Sequence, residues 1–453
     1  AGGDEGLTVN DGSIDVIHTG STGLNVSGSA TTQKTDGSEE AADINFHSNE
    51  GAIHVDGTMT AGDSFTAVTD SGAITLKGDV TAHNGDVEAT TQSGAIEFGG
   101  SVSAAQGSIT ANTQVGEIRV TGQMTAGQDI NLTSGAGAIT VLGGAAAGSH
   151  FSAATQSGDV TIGEADEAGI VTGDVTAEKG TVNVSTNSGS VTVNGAVSSG
   201  TDTIFQAGGT EDVAGDITVN GAVHADRAVT AETTVGNIFF GGTTEAGTGI
   251  TFTSNAGDIS TTGSLTTAIG DVSAKTDSGA ITLGGAVSAT IGNVIVHSDA
   301  GAIEIKNNVT AGTDIELDSG KGTISVTGNA TAANGEITAA TDEGDILLNG
   351  TADANTDIFL ESKDGNITVQ QNATAGKAFT ANTTSGAITF GGNVTANGGS
   401  VTAHTGNGDI SVSGKADASQ DIDLSSDGGS ISVTGDAEAG QDSSATTGGG
   451  NIT

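Results

Sequence analysis

Apolar and polar residues alternate in three short runs within each stretch of about 21 residues of this chain. In residues 72–93 the runs read Ile-Thr-Leu, Val-Thr-Ala and Val-Glu-Ala, and Gly, Asn or Asp separates one run from the next. Alternation with a period of two residues predicts β-strands with one buried face. The separating residues tolerate left-handed backbone angles, so we expect them to form tight corners in that conformation. Three strands and three corners per turn predict a small triangular coil.

The coil repeats along the chain and is marked by Gly-x-Ile or Gly-x-Val. Sixteen of the eighteen intervals between these glycines are 21 or 22 residues, and the other two are 31 and 26. A fixed period of this length predicts a solenoid, whose repeats bury their apolar faces by stacking. We therefore predict an all-β fold, a single-stranded parallel β-helix (β-solenoid) with three short strands per 21–22-residue coil and about 20 coils. The repeat glycines are Gly51, Gly72, Gly94, Gly116, Gly137, Gly158, Gly189, Gly215, Gly236, Gly257, Gly279, Gly301, Gly322, Gly344, Gly365, Gly386, Gly408, Gly429 and Gly450.

The residue two positions after each glycine is Ile in seventeen of nineteen copies, which predicts one inward ladder of isoleucines. A second apolar residue follows two positions later in almost every coil, and Thr261 departs from this pattern. Strand spacing of ~4.8 Å makes about twenty coils a rod ~100 Å long. The isoleucines that we assign to the ladder include Ile74, Ile96, Ile139, Ile281, Ile303 and Ile388.

The period predicts one continuous solenoid over residues 1–453, with Gly12-Ser13-Ile14 opening its first coil. Three stretches interrupt the period, at 28–42, 163–172 and 208–214, and we interpret them as insertions at corners. Residues 1–11 form a junction segment before the first coil, and residues 450–453 form an incomplete terminal coil.

Composition narrows the classes of function. The chain has 55 acidic and 11 basic residues, a net charge of −44, which excludes a general binder of nucleic acid or of anionic membranes. It has no Cys and therefore no disulfide or thiolate chemistry, and no apolar stretch is long enough for a membrane-spanning helix. We expect an extracellular or cell-surface location, because the chain begins at Ala1 without Met, as a mature secreted product does.

Acidic corners raise the question of calcium. Glu164, Asp166 and Glu167 lie together in one interruption, and aspartates on adjacent coils would supply the oxygen ligands that calcium requires. Turn-forming Asp explains the same positions without an ion. We expect no cofactor, with calcium as the open alternative. The corner aspartates in question are Asp86, Asp159, Asp216, Asp258, Asp345 and Asp409.

Other chemistry finds less support in the residues. Sugar-cleaving β-helix enzymes need paired carboxylates in a cleft with aromatic platforms, whereas this chain has no Tyr or Trp, and its coils are short; we expect no enzyme. Outward threonines occur singly on each strand, which does not favour a flat ice-binding array.

The chain contains eleven Asn-x-Ser/Thr sequons, and eight of them lie after residue 300. Composition alone predicts about seven sequons in the whole chain. These eight include Asn308, Asn329, Asn372 and Asn393.

The two ends of the predicted rod expose apolar residues without a polar cap. Leu7 and Val9 alternate with polar residues near the start, and Ile452 lies in the incomplete last coil. Uncapped solenoid ends polymerise, so we expect Leu7 and Val9 of one subunit to pack near Ile452 of another. A fragment cut from a longer adhesin would show the same ends.

Segments such as TAGQDINLTSGAGAITV (125–141) and TSGAITFGGNVTANGGSVTA (384–403) resemble the shaft repeats of filamentous-haemagglutinin-like exoproteins of two-partner secretion. The resemblance implies a parallel β-helix on a bacterial surface, used in adhesion and biofilm cohesion, with no catalytic residues. The NPNL- and NPNG-type motifs of the family's secretion domain are missing.

Our leading expectation is a structural subunit of an extracellular filament, assembled head-to-tail. The alternative is the shaft of a larger adhesin, and a carbohydrate-active enzyme comes third. The expected partner is the chain itself, with host surfaces, neighbouring cells or matrix polysaccharide as further candidates. We expect no nucleic-acid partner and no membrane insertion.

Overall fold

The computed structural model describes residues 7–33, 42–164, 172–209 and 213–453, and these residues form strands and corners without a helix. The chain divides into an N-terminal unit, Ala1–Val235, and a C-terminal unit, Gly236–Thr453. Each unit is a parallel β-solenoid with three strands per coil, and the chain makes about 19 coils in all. The predicted fold class is therefore confirmed.

Three parallel sheets run through each unit. Sheet C holds the strands that Gly-x-Ile opens, sheet A holds the next strand of each coil, and sheet B holds the strand after that. Every strand pairs in register with its equivalents in the adjacent coils of its unit, as Ile281 pairs with Ile303. Strands between the terminal coils are therefore paired on both sides, which suits a chain without proline.

In the N-terminal unit, sheet A comprises Leu7–Asn10, Ala30–Gln33, Met59–Ala61, Val80–Ala82, Val102–Ala104, Met124–Ala126, Ala145–Ala147, Val175–Ala177, Val197–Ser199 and Val223–Ala225. Sheet B comprises Ile14–His18, Ile44–Ser48, Phe65–Ser71, Val87–Ser93, Ile109–Val115, Ile130–Ser134, Phe151–Thr155, Val182–Thr186, Thr203–Ala207 and Ala228–Thr233. Sheet C comprises Leu24–Val26, Ile53–Val55, Ile74–Leu76, Ile96–Phe98, Ile118–Val120, Ile139–Val141, Val160–Ile162, Val191–Val193 and Ile217–Val219.

In the C-terminal unit, sheet C comprises Ile238–Phe240, Ile259–Thr261, Ile281–Leu283, Ile303–Ile305, Ile324–Val326, Ile346–Leu348, Ile367–Val369, Ile388–Phe390, Ile410–Val412 and Ile431–Val433. Sheet A comprises Thr244–Ala246, Leu265–Thr267, Val287–Ala289, Val309–Ala311, Ala330–Ala332, Ala352–Ala354, Ala373–Ala375, Val394–Ala396, Ala416–Ala418 and Ala437–Ala439. Sheet B comprises Gly249–Ser254, Val272–Thr276, Val294–Ser298, Ile315–Ser319, Ile337–Thr341, Ile358–Ser362, Phe379–Thr383, Val401–Thr405, Ile422–Ser426 and Ser443–Thr447.

The core is built from the alternate residues of each strand. Away from the terminal coils, strands of sheets A and C bury their first and third residues, and most strands of sheet B also bury a fifth. The third position of sheet A is nearly always Ala, which leaves space in the narrow section for the phenylalanines of sheets B and C. Phe240 and Phe252 stack with ring centroids 4.4 Å apart. The six isoleucines assigned to the inward ladder, Ile74, Ile96, Ile139, Ile281, Ile303 and Ile388, are all fully buried.

The first coil differs from the prediction. Gly12-Ser13-Ile14 does not open a sheet C strand, because Ile14–His18 pairs with Ile44–Ser48 in sheet B. The equivalent sheet C strand is Leu24–Val26. The interruption predicted at 28–42 also begins too early, since Ala30 and Thr32 are buried in a sheet A strand that pairs with Leu7–Asn10. Thus residues 7–10, assigned to a junction segment, are already part of the solenoid.

The corners are not built as predicted. Among the described residues, Asp11 is the one non-glycine residue with a positive φ (58°), so Asn and Asp do not shape the corners by left-handed conformations. Some repeat glycines of the N-terminal unit do use this region, such as Gly72 with φ 120°. At Gly365 the reason for glycine is space, since a Cβ would lie closer than 3.0 Å to the carbonyl oxygen of Gly344 in the preceding coil.

Candidate functional site

The outer surface of each coil presents a regular set of side chains. Strands of sheets A and C offer one outward residue between two buried ones, as Thr282 lies between Ile281 and Leu283, and most strands of sheet B offer two. Three depressions on the C-terminal unit have volumes of about 240, 310 and 400 Å³. They are formed by outward side chains of successive coils rather than by long loops. Such a surface suits multivalent contact along a face more than enclosure of a small substrate.

The corner aspartates hold adjacent coils together. A carboxylate oxygen accepts a hydrogen bond from a backbone N–H of the following coil at five of the six positions that we considered for calcium. That structural role accounts for their recurrence without a bound ion. The donors and N···O distances are Ser108 to Asp86, 2.7 Å; Ser190 to Asp159, 2.8 Å; Ala280 to Asp258, 2.7 Å; Asn366 to Asp345, 2.7 Å; and Ser430 to Asp409, 2.6 Å.

The calcium candidates of the second interruption are only partly described. Glu164 is exposed, and its carbonyl oxygen accepts a hydrogen bond from the N–H of Thr172 at 3.0 Å, which closes the base of the interruption. Asp166 and Glu167 lie outside the described residues. Within the described ranges, no group of three or more His, Asp or Glu side chains is arranged to hold a metal ion.

The densest arrangement of ionisable groups around a histidine that the structure shows surrounds His297 in sheet B. Its Nδ1 lies 3.0 Å from a carboxylate oxygen of Asp318 in the next coil, and its Nε2 lies 2.6 Å from Asp299. Both ring nitrogens therefore lie within hydrogen-bond distance of a carboxylate. The contact with Asp318 links two adjacent coils.

Lysines lie where acidic side chains of adjacent coils meet. Asp417 and Glu438 face each other in the sheet A ladder, and Lys415 Nζ lies 2.8 Å from the first and 2.6 Å from the second. Hydrogen bonds to Asp417 and then Glu438 raise the pKa of the Lys415 ammonium. Similarly, the Lys77 ammonium at 2.8 Å lowers the pKa of Asp56. Like charges on adjacent coils repel, so these pairs offset repulsion where it is strongest.

A buried row of Ser and Thr hydroxyls is the recurring polar feature that sequence reasoning missed. At the inward end of sheet B, every hydroxyl of this row from Thr69 onward donates to the carbonyl oxygen of the repeat glycine in the preceding coil. Ser362 Oγ to Gly344 O is 2.7 Å, and Thr383 Oγ1 to Gly365 O is 2.8 Å. The signal was present, because Ser or Thr lies three residues before every repeat glycine except Gly215.

In the C-terminal unit the same hydroxyls often accept a second hydrogen bond. The N–H of Gly386 donates to Thr383 Oγ1 at 3.1 Å, so one side chain links its own glycine to the glycine of the previous coil. Buried backbone groups at the corner are thereby satisfied without water. We call this row the hydroxyl ladder; it comprises Ser48, Thr69, Thr91, Thr113, Ser134, Thr155, Thr186, Thr233, Ser254, Thr276, Ser298, Ser319, Thr341, Ser362, Thr383, Thr405, Ser426 and Thr447.

The predicted junction residues lie at the axial edges of the two units. Leu7 is 48% exposed although it occupies an inward row, since Leu7 pairs with buried Ala30 on one side only. Val9 is the third residue of the same strand, also in an inward row, and it pairs with buried Thr32. Ile452 is 52% exposed and forms an isolated bridge with Ile431, which places it in sheet C of the last coil.

Comparison with known proteins adds no identity. No protein-family model, no curated protein and no solved structure matches this chain. The described residues also contain no helix long and apolar enough to cross a membrane.

Proposed function

We propose that this chain is a structural subunit of an extracellular or cell-surface filament, in which solenoids stack head-to-tail and support adhesion or cohesion of a matrix. Its role is mechanical rather than catalytic. The partner at each joint is a second copy of the chain, and matrix polysaccharide or neighbouring cell surfaces contact the outer faces.

The observation that carries the proposal is the pair of open coil edges. In the last described coil, Ala437 and Ser443 occupy inward rows, and both are exposed. Leu7 and Val9 occupy inward rows at the other edge. Among the described residues, each edge also presents strand N–H and C=O groups without a ladder partner on one side, and such edges favour the addition of another strand.

In the proposed joint, each sheet continues from one copy into the next. Sheet A begins with Leu7–Asn10 and ends with Ala437–Ala439, so continued pairing places Leu7 of one copy against Ala437 of another. Sheet C then places Leu24 against Ile452. Leu7 thus meets a small residue in sheet A, whereas Leu24 and Ile452 bring two apolar side chains together in sheet C.

The acidic surface and the repeat type support an exterior location. A net charge of −44 keeps such an assembly hydrated and hinders random lateral aggregation. Resemblance to the shaft repeats of filamentous-haemagglutinin-like exoproteins favours an adhesive or cohesive role. In the alternative, a shaft within a larger adhesin, further coils of the same chain cover the two edges.

Negative-stain microscopy of the purified chain tests the proposal. We expect filaments far longer than the ~100 Å of one solenoid. Leu7→Asp should abolish elongation, because it places an unpaired charge in the joint. Thr8→Asp, on the outward row of the same strand, is the matched control and should still elongate.

Circular dichroism should show that both variants keep the β-structure of the parent. Discrete particles from the unmodified chain, or long filaments from the Leu7→Asp variant, would contradict the head-to-tail joint. Either result would favour the adhesin-shaft alternative.

A further inference from the structure

Four asparagines occupy one position of the coil in the C-terminal unit, at the corner where sheet C passes to sheet A. Each immediately precedes a sheet A strand, and each has Thr two residues later on the outward row. Asn-x-Thr is the acceptor sequence for N-linked sugars. The four sequons are Asn308-Val-Thr310, Asn329-Ala-Thr331, Asn372-Ala-Thr374 and Asn393-Val-Thr395.

The structure fixes the orientation of these side-chain amides. Asn308 Oδ1 accepts the backbone N–H of Asn329 at 2.9 Å, and Asn372 Oδ1 accepts that of Asn393 at 2.9 Å. Asn329 and Asn393 make the equivalent bonds, at 3.0 and 2.8 Å, to the coils that follow them. The oxygen is thus directed along the solenoid axis, and all four side chains are exposed. An N-glycosidic bond uses one Nδ2–H and leaves Oδ1 free to keep this hydrogen bond.

The same corner in the N-terminal unit shows that the link between coils does not require an amide. Asp79 and Asp174 occupy it, each with Thr two residues later. Asp79 Oδ1 accepts the N–H of Ser101 at 2.7 Å, and Asp174 Oδ1 accepts that of Ala196 at 2.8 Å. A carboxylate therefore links the coils as well as an amide does, and what Asn adds is a nitrogen that can carry a sugar.

Two other sequons of the same unit differ from the row, although Asn366 Oδ1 also accepts a backbone N–H of the following coil, that of Ala387 at 2.9 Å. The Nδ2 of Asn366 donates to Asp345 Oδ1 at 3.1 Å, so its nitrogen is engaged with a carboxylate. Asn382 is half-buried in the outward row of sheet B. The corner row thus combines exposed asparagines and one amide orientation on two pairs of adjacent coils.

We propose that Asn308, Asn329, Asn372 and Asn393 form an acceptor row for N-linked glycans. The donor is a sugar activated by a phosphate leaving group, and a glycosyltransferase catalyses the step. Nδ2 attacks the anomeric carbon, the C1–Nδ2 bond forms as the C1–O bond to phosphate breaks, and the Nδ2 proton passes to a base of the transferase. The inference rests on the exterior location in the proposed function and does not depend on head-to-tail stacking.

Peptide mass mapping of the chain isolated from the cells that produce it tests the row. Adjacent coils lie ~4.8 Å apart, which crowds two sugars on one pair, so we expect a glycan on at least one residue of each pair, 308/329 and 372/393. Unmodified masses for all four peptides would overturn the inference. In that case, the asparagines would serve only to link the coils without the repulsion that carboxylates on adjacent coils would cause.

Variants of the full chain in the same cells sharpen the test. Thr310→Ala should remove the sugar from Asn308, whereas Thr310→Ser should retain it. Asp79→Asn should gain a sugar, because it completes a sequon in the same geometry; failure to gain one would contradict the role given to the corner. A glycosylated chain that forms no filaments would contradict only the proposed joint, and unmodified filaments would contradict only this inference.

Discussion

Thr261→Val tests whether a buried hydroxyl without a partner weakens the C-terminal unit. Thr261 is 3% exposed in the third position of a sheet C strand, and its Oγ1 has no hydrogen-bond partner among the described residues. Its ladder neighbours are Phe240 in the preceding coil and Leu283 in the following one, so the hydroxyl lies in an apolar row. Valine keeps the branched shape and removes the polar atom.

The expected gain follows from the cost of burying an unsatisfied hydroxyl. That cost is about 1–3 kcal/mol, and we expect the variant to raise the free energy of unfolding by about 1–2 kcal/mol. A matched control lies in the same coil. Thr276 is equally buried, but its Oγ1 donates to Gly257 O at 2.8 Å and accepts from Gly279 N–H at 3.1 Å. Thr276→Val should therefore destabilise the unit by about 1–3 kcal/mol, since it leaves both backbone groups without that partner.

Native-state hydrogen exchange suits this measurement, because a long solenoid does not unfold as one two-state unit. Amides of Ile259–Thr261 and Ile281–Leu283 should exchange about tenfold more slowly in Thr261→Val, and those of Val272–Thr276 about tenfold faster in Thr276→Val, at about 1.4 kcal/mol per factor of ten. Faster exchange in Thr261→Val, or unchanged exchange in Thr276→Val, would refute the reasoning. Loss of β-structure in either variant would be visible by circular dichroism beforehand.

Three further predictions follow from the same packing. Gly365→Ala should cost at least about 2 kcal/mol, because its Cβ displaces the Gly344 carbonyl that the hydroxyl ladder uses; a denaturation midpoint equal to that of the parent would contradict this. Ile281→Asp buries an unpaired charge, and we expect proteolysis to cut the chain near this coil, whereas continued resistance would count against the inward ladder. Lys415→Gln leaves two facing carboxylates uncompensated, so stability should become more dependent on salt near neutral pH. Since the pKa of Lys415 is raised, its contribution in the parent should be present below pH 10.5 and lost as pH rises through the higher folded-state pKa; a flat alkaline profile would argue against it.

The fold was predictable because the repeat length and the alternation within each repeat define the geometry of the coil. Gly-x-Ile at intervals of 21 or 22 residues sets the length of the coil, and alternation within each run decides which face is buried. The prediction was wrong for the first coil, where it depended on a single copy of the motif. Gly12-Ser13-Ile14 matches the motif, yet the strand that it opens belongs to sheet B, because Ile14–His18 pairs over five residues with Ile44–Ser48.

The residue types at the corners were predicted correctly, but the way in which they form the corners was not. Asp and Asn recur at corners as expected, but they act as acceptors for N–H groups of the next coil rather than by left-handed conformations. A one-dimensional pattern shows that Asp86 precedes a strand. It does not show that Ser108, 22 residues later, lies directly above it with an N–H directed at the carboxylate.

By itself, the sequence determined the coil length, the three strands per coil and the inward row, because these follow from local periodicity and from the need to bury apolar side chains. Only the tertiary structure decided which polar groups meet between coils. The hydroxyl ladder, the unpartnered Thr261 and the Asn308 row depend on which residues lie one coil apart. Interruptions of the period shift that relation, so stacking in space, and not spacing along the chain, settles each of these contacts.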